Sequence, residues 1–422
     1  MWSNWSRGQS CAPAEHVRPG NRAELAEAVA RGRAVRVAGA GHSFSGGVAT
    51  DGTLISLERM DRVLDVDRAG GLVRTEAGIS LHRLVRELHG HGLALPNLGD
   101  IDAQSLAGAL ATGTHGTGAR LGNLSTAVAR MELVLADGSS HVVEDGDELL
   151  AARVGLGALG VVASVTLRCV PAFRLHAVDE PLPLEDVLAD LDSHVDANDH
   201  FELFTFPHSP IALTRTNNRT GAPPTPRRPR REWLQDVALD NHAFGAVNRV
   251  ARRLPRAIPA LNRFAGRSAS RRERVAESFD VFASPRLVRF EEMEYALPRV
   301  RAADAVRACR EILARHPVSF PIELRFSDGD EALLSPAHER ETAYVAVHVF
   351  EGMDYEAPFR EVEAFLRSWD GRPHWGKRTF LAAGELAPRY PRWRDFAAIR
   401  DRLDPGGRFV NPWIARTLGV TA

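Results

Sequence analysis

Leu81, Leu84, Val85 and Leu88 fall on one side of a helical wheel, so residues 80–90 read as an amphipathic helix that Ser80 can cap. Residues 20–32 read as another helix, opened by Asn21 and stopped by Gly32. Elsewhere in the first 170 residues the pattern shortens to β-branched and leucine-rich runs at 33–38, 53–57, 127–135 and 161–168. Ala-Asp-Gly-Ser at 136–139 is a turn signal, and the runs 62–67 and 72–77 flank Arg-Ala-Gly-Gly as a hairpin. Strands alternating with a few short helices predict an α+β domain.

Beyond Pro171 the pattern changes. Residues 200–216 and 286–298 pattern as strands, 240–275 as basic helical segments, and 301–315, 318–327 and 342–350 as helix, strand, strand. A second domain beginning near residue 173 is the simplest account, since 422 residues exceed what one core usually organises. The Pro- and Arg-rich stretch 221–232 reads as a solvated loop, because its prolines prevent regular packing.

Composition narrows the partners. A formal net charge of −1, with 25% charged and 44% hydrophobic residues, argues against nucleic acid as the main partner. Cys11, Cys169 and Cys309 are far apart, so neither a disulfide framework nor a cysteine metal site is expected, and no metal is assigned. The N-terminus has no apolar signal region, and no run of about 18 apolar residues occurs, so no membrane span and a cytoplasmic location are expected.

Candidate chemistry starts at Val35-Arg-Val-Ala-Gly-Ala-Gly-His42-Ser-Phe-Ser-Gly-Gly47, a short strand running into a glycine loop. Backbone this bare can approach a phosphate and present N–H groups to it, but such a cradle has no need of an imidazole. Gly155-Leu-Gly-Ala-Leu-Gly160 matches a dinucleotide fingerprint in letters only. A helix is expected before it and a strand after it, the reverse of a Rossmann site, so these glycines read as tight packing. Residues 105–111 read as a small-residue helical turn, and Thr112 to Gly118 as a source of hydroxyls and backbone N–H groups.

Four stretches together, Val-Ala-Gly-Ala-Gly-His-Ser-Phe, Ala-Leu-Pro-Asn-Leu-Gly-Asp, Ala-Thr-Gly-Thr-His-Gly-Thr-Gly and His374-Trp-Gly-Lys377, resemble flavoproteins of the vanillyl-alcohol-oxidase type. The resemblance is to the branch of aldonolactone and alditol oxidases and covers nearly the whole chain in matching order. It implies a two-domain fold, with an FAD-binding domain over 1–172 rejoined by 396–422 and a substrate domain over 173–395. It also implies FAD bound by Ala38, Gly39, Ala40, Gly41, His42, Ser43, Ser105, Gly108, Thr112, Gly113, His115, Gly116, Thr117, Gly118, Val162 and His374. In this family the histidine of Gly-His-Ser is often bonded to the flavin, which makes His42 the expected attachment residue.

On the substrate side, Ile322, Leu324 and Phe326 alternate with Glu323 and Arg325, which therefore share the opposite strand face. His348 shares a face with Tyr344 and Phe350, and Arg372-Pro-His-Trp-Gly-Lys377 reads as a rigid turn presenting a lysine. The resemblance implies that Glu323, Arg325, Lys377, Ser105 and His348 line the reactive face. Glu323 and Lys377 remain alternative proton acceptors. Phe350 stands where alditol oxidases carry a threonine, and Phe-Glu-Gly-Met-Asp-Tyr resembles bacterial gulonolactone and arabinonolactone oxidases. The implied reaction is oxidation of a sugar-1,4-lactone alcohol, with O₂ or another acceptor taking the electrons. The alternatives are an alditol oxidase acting on a polyol and a non-catalytic flavin-fold protein.

Overall fold

The computed structural model describes residues 1–226, 241–284 and 286–421. Three larger sheets organise them. Glu15–Val17, Thr53–Ser56 and Arg36–Ala38 form a small parallel sheet, with Thr53–Ser56 central. An antiparallel sheet runs Ser140–Val143, Val128–Val134, Val161–Arg168, Leu72–Glu76, Val63–Asp67. The third is an eight-stranded antiparallel sheet in the order Arg272–Glu277, Arg174–Pro183, Ile211–Thr220, His200–Thr205, Ile322–Ser327, Thr342–Phe350, Phe290–Pro298, Arg372–Pro373.

Local chemistry explains the first-half helices. In Arg22–Arg31, Asn21 accepts from Glu24 N at 3.0 Å while the Glu24 carboxylate accepts from Gly20 N at 2.7 Å. Ser80 caps Leu81–Gly90, whose Leu81, Leu84, Val85 and Leu88 are buried in the main core with Val73, Leu106, Met131 and Val165. A buried leucine of this kind contributes about 2 kcal/mol.

Strand alternation gives the large sheet two unlike faces. Met293, Tyr295, Leu297, Leu324, Phe326, Val345 and Val347 pack against helices Ala302–Leu313 and Glu356–Ser368 in a second core. The residues between them, including Glu292, Glu294, Glu323, Arg325 and His348, project from the other face and are buried there. The register sets Glu292 opposite His348, and Ala346 opposite both Glu294 and Glu323. A methyl group between two carboxylates leaves a low floor for a ligand.

Both halves of the chain cover that face. Gly118 N donates to Phe326 O at 2.8 Å, and Thr117 Oγ1 donates to Phe201 O. The C-terminal segment returns to the glycine loop: Asn411 Nδ2 donates to Gly46 O at 2.9 Å and Ala49 O at 2.7 Å. Arg36, 5% exposed, donates to the carbonyls of Gly47, Gly157, Phe409 and Leu156 at 2.6–2.9 Å.

Three expected elements differ. Residues 200–216 are two paired strands, His200–Thr205 and Ile211–Thr220, because the chain reverses through Ser209. The basic segment forms helices Phe244–Arg253 and Ile258–Ser268 but ends as the strand Arg272–Glu277, recruited by pairing with Arg174–Pro183. The strand expected from 286 begins at Phe290. Residues 227–232 of the Pro- and Arg-rich stretch, and residue 240, lie outside the described residues. No described helix is long and apolar enough to cross a membrane.

Candidate active site

Two cavities meet at His42, Ser43, Gln104 and Thr112. The larger, about 450 Å³, is lined by Ala38, Gly39, Ala40, Gly41, Ser105, Gly108 and Val162. Gly41 takes φ +73°, which favours bare backbone, and a Cβ at Gly39 would stand 2.1 Å from Ser105 Oγ, so a side chain there would have to displace Ser105. Gly155, Gly157 and Gly160 also line this cavity, between the helix Gly146–Arg153 and the strand Val161–Arg168. The order is indeed reversed from a Rossmann site, but the glycines serve the cavity as well as packing.

His42 sits at the mouth of this groove, half-buried and stacked on Trp5 with centroids 5.5 Å apart. Its Nδ1 is buried without a hydrogen-bond partner among the described residues. Burial, then Lys377, pushes its pKa below the ordinary value, which leaves a neutral imidazole with a free lone pair. An unpaired buried nitrogen beside a long groove with backbone on several sides fits a flavin dinucleotide.

The smaller cavity, about 150 Å³, holds most of the charge. Glu323 pairs with Arg325, whose guanidinium also reaches Glu202 at 2.8 Å and Asp100 at 3.2 Å; Asp100 in turn pairs with Arg286. Lys377 Nζ lies 2.6 Å from Glu292 Oε2 and 3.9 Å from Glu294. His348 Nε2 lies 3.4 Å from Glu292 Oε1 and 4.0 Å from Glu323. His115 Nε2 meets Glu294 at 2.9 Å, with its ring stacked on Tyr344 at 3.5 Å. Phe244, Phe290 and Phe320 supply an apolar wall.

The charge states divide. Burial, opposed by Arg325 and reinforced by Asp100 and Glu202, pushes Glu323 up to about 7. Burial acts to raise Glu292, but Lys377 and His348 hold it below the ordinary carboxylate value. Burial acts to lower Lys377 and His348, and Glu292 is the strongest influence raising both, leaving each above its ordinary value. Burial takes His374 down to about 4. One carboxyl of the cavity is therefore able to titrate near neutrality, beside His348, which is itself held above its ordinary value.

Placement of the expected residues is uneven. His42, Ser43 and Thr112 line both cavities; Glu323, Arg325, Lys377, His348, His115 and His374 line the smaller one. Ser105, expected at both the cofactor and the substrate, lines only the larger, whereas His115 and His374, expected at the cofactor, line only the smaller. Gly113, Gly116, Thr117 and Gly118 line neither cavity. A Cβ at Gly116 would lie 2.4 Å from Asn97 Oδ1, and Thr117 and Gly118 are engaged by the large sheet. Phe350 sits behind the wall, stacked on Phe320.

Glu292, Glu294, Asp100, Arg286, Glu202 and Gln104 were not foreseen. One signal was available: acids at 292 and 294 alternate with Met293 and Tyr295 in a strand. Another is that Lys377 is the only lysine among 53 Lys and Arg residues. His115, Glu294 and His374 could bring three ligand atoms within 4.8 Å, but His115 and Glu294 already satisfy each other.

Known proteins and families resemble the chain along its length. An FAD-binding-domain model matches residues 13–144, and a D-arabinono-1,4-lactone oxidase model matches residues 165–417. The chain is 45% identical to the L-gulono-1,4-lactone dehydrogenase of Mycobacterium tuberculosis, over 99% of each chain. It is 33% identical to the L-gulonolactone oxidase of Mus musculus, over 99% of this chain and 98% of that one. Cholesterol oxidase from B. sterolicum, 18% identical, superposes with a TM-score of 0.82 over 99% of this chain and 96% of that one. That likeness supports the two-domain α+β flavoprotein fold. The chain belongs to the D-arabinono-1,4-lactone oxidase family and carries its FAD-binding domain.

Proposed function

We propose that this protein is an FAD-dependent oxidoreductase that oxidises a secondary alcohol of a sugar-1,4-lactone of the L-gulono or D-arabinono type. The reading divides the chain as the resemblance does, with the cofactor in the larger cavity and the substrate in the smaller. FAD, when bound, supplies the acceptor for the hydride removed from the alcohol carbon. His42 is the residue we assign to covalent attachment, supported by its neutral ring and unpaired Nδ1.

The observation that carries the reading is the small charged cavity opening onto the cofactor groove at His42, Ser43, Gln104 and Thr112. Arg325, held by Glu202 and Asp100, presents a fixed guanidinium to substrate hydroxyls. Lys377 is already protonated and ion-paired, so it donates and cannot accept. Glu323, raised to about 7, is the group suited to take the hydroxyl proton. These charge states favour the carboxylate over Lys377 as the acceptor. Phe290 and Phe320 favour a ring with an apolar face over a polyol chain, whose hydroxyls would lose hydrogen bonds against them.

Steady-state kcat/KM on L-gulono- and D-arabinono-1,4-lactone, against xylitol and sorbitol, tests the substrate class. We expect the lactones to lead by about tenfold or more; a larger advantage for a polyol overturns the assignment. The assay is run with O₂ and with a dye acceptor, because the relatives' names include both an oxidase and a dehydrogenase.

A further inference from the structure

Glu292 makes two contacts that no other described carboxylate combines. Its Oε2 meets Lys377 Nζ at 2.6 Å and its Oε1 faces His348 Nε2 at 3.4 Å. The backbone fixes both partners. Glu292 lies directly opposite His348 in the antiparallel register, and Glu292 O accepts from Arg378 N at 2.9 Å, next to Lys377. His374 N donates to Glu294 O at 3.0 Å, and Lys377 N donates to His374 O at 3.0 Å. The turn bearing the lysine is thus fastened to the strand bearing the carboxylate on both sides of Lys377.

We propose that Glu292 is a positioning residue: it stays ionised, holds Lys377 as an ammonium and fixes His348, and so leaves Glu323 as the carboxylate that takes the substrate proton. This rests on the reading of the smaller cavity as the substrate site. One oxygen per cation also accounts for the lone lysine. An arginine at 377 would present a planar fork that pairs with both Glu292 oxygens and displaces His348, whereas an ammonium is satisfied by one. In a chain that uses arginine at every other basic position outside histidine, this is the position where a guanidinium does not serve.

Other groups around Lys377 do not duplicate the role. Glu294, 3.9 Å away, has His115 as its close partner. Asp100 is engaged by Arg286 and Arg325, and Glu323 by Arg325. His42 and His374 are pushed toward the neutral state, in part by Lys377 itself. The Phe44 ring lies 5.4 Å from Nζ and adds a weaker attraction.

The sole lysine makes the test direct. Holoenzyme produced with [13Cε]-lysine has one lysine side-chain resonance, whose shift reports the Lys377 charge through a pH titration. In the wild type we expect a midpoint above the ordinary lysine value of about 10.4. In Glu292→Gln the midpoint falls by about one pH unit or more, and kcat on the lactone falls on the order of 10–100-fold, with KM changed less. Glu292→Asp returns the midpoint toward the wild-type value. An unchanged midpoint in Glu292→Gln overturns the proposal. So does a wild-type midpoint at or below the ordinary value, which decides the matter even if the variants do not fold. A shifted midpoint in an enzyme that turns over no lactone refutes the functional reading and supports the ion-pair assignment.

Discussion

Lys377 and His42 show how much chemistry a single position can carry. Lys377→Arg keeps the charge but replaces a compact donor with a fork, so we expect kcat/KM on a lactone to drop by about 100-fold or more at equal flavin content. Retention of near-wild-type activity would show that charge alone is needed. For His42, acid precipitation gives a plain readout: a yellow pellet from the wild type, and a white pellet with yellow supernatant from His42→Ala. A white wild-type pellet would remove the covalent linkage and leave the FAD site intact. At this scale the sequence was legible where a motif marked the residue, as at His42, Glu323, Arg325 and Lys377. Glu292 and Glu294 were not, because an acid on alternate strand positions is usually solvated, and only the covering of that face buries them. Asp100 and Arg286 come from separate loops and meet across the cavity, a proximity that no local pattern encodes.

Elements were read more securely when their signals were local. The capped helices Arg22–Arg31 and Leu81–Gly90 and the hairpin Val63–Asp67 with Leu72–Glu76 formed as expected. Arg272–Glu277 did not, since a neighbouring strand decided its state. The glycine loop yields a test of close approach. Gly39→Ala puts a methyl 2.1 Å from Ser105 Oγ, so we expect less FAD retained per protein, measured by the flavin-to-protein absorbance ratio, and partial recovery in Gly39→Ala/Ser105→Ala. Failure of the second change to restore flavin would mean that Ser105 is not what the new methyl meets. Arg36→Met should lower stability by about 3 kcal/mol in denaturant unfolding, because four carbonyls lose a buried charged donor at once. A change under about 1 kcal/mol would show that those carbonyls find other partners.

At the scale of the molecule, the site exists because one half of the chain closes over the charged face of the other half's sheet. The two-domain α+β fold was legible from the change of pattern near Pro171 and from motifs spread along the chain. The charge network between the halves was not, because it depends on register and on which sheet face is covered. Within that network Glu323 is the carboxyl pushed up to about 7. A proton acceptor must be ionised before it accepts, so hydride removal should slow as pH falls below 7 and reach a plateau above it. Anaerobic stopped-flow bleaching of the flavin by L-gulono-1,4-lactone, followed from pH 5 to 9, tests this most directly. We expect a rate that rises through an apparent pKa of about 7 and, in Glu323→Gln, a much slower rate without that rise. A flavin that the lactone does not bleach, or a pH profile unchanged in Glu323→Gln, would contradict it.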